Sequence, residues 1–121
     1  MPGDAPVHVP VLAAEVLEAL RPRPGARLVD GTLGGGGHAR LLLERIAPGG
    51  ILLGLDRDPE VVERMSRELV RFGGAFRPRC ADFADLGRAL EEEAIESVDG
   101  IMADLGISSL QLADPARGFS F

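Results

Sequence analysis

"VDGTLGGGGH", residues 29–38, ends a short apolar run on an acid and then runs through five glycines into a histidine. Gly34 to Gly37 carry no side chains, which is what a backbone requires where something must approach its N–H groups closely. The residues leading in, "ARLVDGTL", read as a short buried strand. Those leading out, "HARLLLERIA", read as a helix, stopped by "PGG" at residues 48–50. A strand, a glycine loop and a helix in that order open a parallel α/β sheet.

The same alternation extends in both directions. Upstream, "VLAAEVLEAL" at residues 11–20 places Val11, Leu12, Val16, Leu17 and Leu20 on one helical face, and "RPRPG" ends that helix. Downstream, "ILLGLD" is a second strand. It is followed by a helix in "DPEVVERMSRELV", with Asp58 as N-cap, Pro59 at the first helical position and an apolar stripe of Val61, Val62, Met65, Leu69 and Val70. "AFRPRCADF" is a weaker strand, expected at a sheet edge because Pro78 cannot donate to a ladder. "ADLGRALEEEA" reads as a short helix whose "EEE" is a solvated face. "VDGIMADLG" reads as a fourth strand that opens into the loop "ISSLQLADPARGFSF". Four strands joined by helical crossovers imply a parallel sheet.

Composition narrows the function classes. A chain of 121 residues that is 45% hydrophobic supports at most one domain. Neither a long apolar span nor an export signal is read in it, so a cytoplasmic location without a membrane partner is expected. Cys80 has no second cysteine to pair with, which fits a reducing compartment, argues against a structural metal and leaves it reading as a buried thiol in a strand. All thirteen basic residues are arginine and the net charge is −6, an unfavourable sign for binding nucleic acid. The clusters Arg21, Arg23, Arg27 and Arg71, Arg77, Arg79 lie beside Pro and Gly and read as solvated loops.

In an open parallel sheet, ligands sit beyond the carboxyl ends of the strands. Those ends carry Asp30 with the glycine loop, Asp56, Asp82 with Phe83, and Asp104. The absence of lysine removes a P-loop triphosphatase. Asp30 would repel a pyrophosphate but suits an ammonium group, which favours S-adenosylmethionine over a nicotinamide dinucleotide. Asp56 is placed to accept the hydroxyls of a ribose, and Phe83 offers an apolar surface to adenine, with Asp82 as an acceptor for its amino group. Two alternatives stay open: an NAD(P)-type Rossmann oxidoreductase, discouraged by Asp30 and by the lack of a tidy G-x-G-x-x-G, and a non-catalytic nucleoside-binding module.

Five motifs in order, "HVPVL" at 8–12, "DGTLGGGGH" at 30–38, "LDRDP" at 55–59, "VDGIMADLGISSLQL" at 98–112 and "RGFSF" at 117–121, resemble the RsmH (MraW) family. The resemblance implies a Rossmann-like class I S-adenosylmethionine-dependent methyltransferase fold with a parallel sheet. It also implies methyl transfer to N4 of a cytidine in 16S rRNA of the small ribosomal subunit. By the same resemblance, cofactor binding falls on Gly36, Gly37, His38, Asp56, Phe83, Asp104 and Gln111. Family members are longer and carry an inserted helical domain. Residues 1–121 are therefore expected to be the amino-terminal part of the methyltransferase domain, with about four strands, lacking the later strands and the RNA-facing surface. The end of the fourth strand reads "ADLGIS", without the Pro-Pro-aromatic motif of many amino-group methyltransferases, and no catalytic base is assigned.

Overall fold

The structure is a computed structural model that describes residues 13–35, 38–103 and 106–108. Helix α1 (Ala13–Leu20) precedes β1 (Arg27–Asp30), a 3-10 turn at Leu33–Gly35 and α2 (His38–Ile46). Then come β2 (Ile51–Asp56), α3 (Pro59–Glu68), β3 (Phe76–Cys80), α4 (Leu86–Glu92), β4 (Gly100–Ala103) and β5 (Gly106–Ser108). The sheet order is β3-β2-β1-β4-β5.

The four expected strands form and run parallel to one another. Arg27 aligns with Ile51 and Asp30 with Gly54, while Asp30 faces Met102 on the other side. β1 and β2 are buried between two layers of helix, so they are apolar on both faces instead of alternating. One face carries Leu28, Leu52 and Met102, packed against Val16 and Leu20 of α1, Leu42, Leu43 and Ile46 of α2, and Met65 of α3. The other carries Val29, Leu53, Leu55 and Ile101, covered by Leu86, Ala89 and Leu90 of α4. Pro78 lies on edge strand β3, as its missing donor requires.

Asp58 caps α3 as expected: its Oδ1 accepts the Glu60 N–H at 2.9 Å, with Pro59 opening the helix. The Val16 and Leu20 face of α1 is buried, while Val11 and Leu12 lie outside the described residues. No helix among the described residues is long and apolar enough to cross a membrane.

Several expectations need correction. A fifth strand exists: β5 turns back antiparallel on β4, pairing Ile107 with Met102, within a segment read as loop. Val70 does not join the stripe of α3 and is 73% exposed. The helix ends at Glu68, and Leu69 leaves helical geometry at φ −110°, ψ 19°, which rotates the next residue away from the core. Cys80 is exposed because it ends the edge strand, beyond the helical cover.

Arg77 and Arg79 are strand residues, not loop residues. Arg79 pairs with Glu92 and with Glu93 at 3.0 Å, and Arg77 reaches Glu93 at 3.5 Å. These pairs tie edge strand β3 to the end of α4; Glu91 and Glu92 of "EEE" stay exposed as expected, while Glu93 is half-buried. Arg71, in the 3-10 segment Val70–Ala75, pairs with Glu44 of α2 at 3.0 Å, and both side chains stay exposed.

Candidate functional site

β1 is the pivot of the sheet, since the chain fills the positions on one side with β2 and β3 and then crosses to place β4 on the other. That reversal opens a crevice at the carboxyl ends of β1 and β4. Asp30 stands there at 1% exposure, its Oδ1 accepting the N–H of Thr32 at 3.1 Å. Next to it, the N–H of Gly31 donates to the carbonyl of Met102 at 2.6 Å, which carries the β1–β4 contact one residue past the strand. A carboxyl group at the tip of the central strand stands where the crevice opens, and in its ionised form it is suited to a cationic group.

The glycine loop is held on β2 by two contacts. Leu33 is 1% exposed, and its side chain fills the space over Gly54, where an added Cβ would lie 2.6 Å from Leu33 Cδ2. The N–H of Gly34 then donates to Oδ2 of Asp56 at 2.9 Å. The other oxygen of Asp56, Oδ1, accepts the N–H of Asp58 at 3.0 Å. A Cβ on Gly34 would stand 3.1 Å from Val61 Cγ1 and 3.2 Å from Asp56 Oδ2, so the loop passes tightly between the end of β2 and the start of α3. An ionised carboxylate offers about four acceptor positions. Two are used by backbone, and Asp56 is only half-buried, which leaves room for a pair of hydroxyls.

His38 opens α2 at the exit of the loop. Its Nε2 is buried and has no hydrogen-bond partner among the described residues. Burial holds the imidazole below its usual value of 6.5, so the ring is neutral at physiological pH. A neutral ring presents either a donor or an acceptor at that nitrogen.

Phe83 approaches from the other face of the sheet, in the turn after β3, where it packs with the Val29, Leu53 and Leu55 cluster. Its ring lies over Gly31: a Cβ there would stand 2.6 Å from Cδ1 and 2.9 Å from Cε1. Asp82 caps the same turn, accepting the Ala84 N–H at 3.3 Å, and stays exposed with Arg57 at 3.8 Å.

Of the residues singled out in the sequence, His38, Asp56 and Phe83 are brought to the carboxyl edge of the sheet around the glycine loop. Gly36, Gly37, Asp104 and Gln111 lie outside the described residues. Sequence reasoning missed Leu33 and Gly54. The available signal was Gly54 itself, a glycine inside an otherwise continuous apolar strand, which marks a close approach by another part of the chain.

The family model described as the MraW methylase family matches residues 5–121. "Ribosomal RNA small subunit methyltransferase H" of Trichlorobacter lovleyi is 54% identical over 114 residues, covering 94% of this chain and 36% of that protein. The protein of the same name from Syntrophotalea carbinolica is 56% identical, with the same two coverages of 94% and 36%. The chain thus spans about a third (36%) of the length of these curated relatives.

Among solved structures, Aeropyrum pernix fibrillarin with natively bound S-adenosyl-L-methionine superposes with a TM-score of 0.60 at 25% identity, over 76% of this chain and 40% of that one. TrmN from Thermus thermophilus gives 0.59 at 27% identity, over 78% and 27%. The fold is the Rossmann-like one of S-adenosylmethionine-dependent methyltransferases.

Proposed function

Because this chain belongs to the MraW methylase family, we propose that it is the amino-terminal, cofactor-binding part of an S-adenosylmethionine-dependent methyltransferase domain. The whole protein acts on RNA of the small ribosomal subunit, in the cytoplasm. The observation that carries this reading is Asp56, a strand-end carboxylate locked to the glycine loop through one oxygen and to Asp58 through the other, with acceptor capacity left over.

The residues present fit the cofactor. Asp30, at the tip of β1, serves the ammonium of the methionine end, and Nε2 of His38, which has no partner among the described residues, supplies a polar contact at the exit of the loop. Gly36 and Gly37 let that end lie against backbone. Asp56 takes the ribose hydroxyls, and the ring of Phe83 provides an apolar wall for adenine. Asp104 and Gln111, carried over from the family motifs, complete the set.

When bound, S-adenosylmethionine supplies a methyl group already activated by its sulfonium. The acceptor carried over with the family motifs is N4 of a cytidine in 16S rRNA, whose lone pair is delocalised into the ring. The protein's contribution is then mostly alignment of that nitrogen with the methyl. Asp30, Asp56 and the loop serve this by fixing one partner rigidly at the sheet edge. The later strands and an inserted domain outside this chain supply the RNA-facing surface.

The test is nucleoside mass analysis of small-subunit RNA after incubation with S-adenosylmethionine and the longer protein that contains this chain. The expected product is a singly methylated cytidine, absent with an Asp56→Ala variant. Saturable binding of NADH by this chain in place of the sulfonium cofactor would overturn the reading in favour of an oxidoreductase.

A further inference from the structure

Gly54 sits in the middle of β2, buried between two strands, where a glycine weakens a strand and gives it nothing to pack. The vacant space is filled from the loop: Leu33 occupies it so closely that a single Cβ on Gly54 would meet three atoms of the Leu33 side chain within 2.9 Å. Leu33 is 1% exposed, although Gly34 beside it is exposed. The residue after this plug delivers its N–H to Asp56 at 2.9 Å.

We propose that Leu33, seated over Gly54, is a positioning residue for nucleoside binding: it sets where the Gly34 amide stands and thereby fixes the Asp56 carboxylate before ligand arrives. Leu33 touches no ligand in this scheme. It acts through the loop backbone, and its benefit is preorganisation. The inference rests on the nucleoside site proposed above.

Calorimetric titration with S-adenosylhomocysteine, together with amide exchange at Gly34 and thermal melting, tests it on the 121-residue chain and on Leu33→Ala, Leu33→Met and Leu90→Ala variants. Leu33→Ala lowers affinity by about tenfold, as small misplacements of a preorganised site do, and speeds Gly34 exchange. Leu33→Met, nearly equal in volume, restores both. Leu90→Ala removes an equally buried leucine on the opposite face, so it lowers the melting temperature while the folded chain binds with unchanged affinity.

Folded Leu33→Ala that binds as tightly as the parent would overturn the inference. If that variant does not fold, Leu33→Val is held to the same two readouts. Absence of binding by a parent chain that melts cooperatively would instead bring down the nucleoside reading itself, so the two failures are distinct.

Discussion

At Asp56 one carboxylate meets several demands: it ends a strand, holds the Gly34 amide and starts the turn into α3 through the Asp58 amide. Asp56→Asn keeps the shape but turns one acceptor into a donor, so it can satisfy only one of the two N–H groups. The expected result is a loss of about 1 kcal/mol in urea-derived stability, together with a loss of S-adenosylhomocysteine affinity. Gly31→Ala is a second residue-scale case, because its Cβ would stand 2.6 Å from the Phe83 ring. Such overpacking costs about 1–3 kcal/mol. Phe83→Ala in the same chain should recover part of it, seen as non-additivity in a double-mutant cycle. Asp56 and Phe83 were legible in the sequence because strand ends can be located where apolar runs stop. The partners of Arg77 and Arg79 were not, since Glu92 and Glu93 reach them only after α4 folds back across the edge strand.

Among the elements, α2 carries a pH-dependent feature at its first residue. Burial disfavours the charged imidazole of His38, so the folded chain holds that proton less tightly than the unfolded chain, whose value is near 6.5. Between the lowered folded value and 6.5 the unfolded chain binds more protons, so stability rises with pH across that window and gains nothing further above it. Urea midpoints measured against pH should show this rise in the parent and a flatter profile in His38→Asn. Equal profiles would contradict the assignment.

The junction of β3 and α4 gives another element-scale prediction. Glu93→Ala removes contacts to both Arg77 and Arg79, and because these groups are partly exposed the cost is about 0.2–1 kcal/mol, smaller at high salt. Element identity was readable wherever local chemistry was explicit, as in the Asp58 and Pro59 start of α3. It was not readable for β5, which has three residues and is defined only by its pairing with β4. Val70 misled for a related reason: periodicity continues through a helix end that backbone geometry has already closed.

For the whole molecule, the parallel order of β3, β2, β1 and β4 followed from alternating strands and helices, whereas the hairpin that places β5 beyond β4 did not. The net charge of −6 agrees with a division of labour in which this part binds cofactor and another part meets RNA. In a filter-binding assay at physiological salt the isolated chain should therefore retain no small-subunit RNA, and tight retention would contradict the division. The central claim, that the carboxyl edge of this sheet is an S-adenosylmethionine site, is tested most directly by calorimetric titration of the 121-residue chain with S-adenosylhomocysteine, paired with a circular dichroism melt. The account predicts a cooperative melt and saturable binding that Asp56→Asn weakens. A chain that melts cooperatively and takes up no S-adenosylhomocysteine would contradict it.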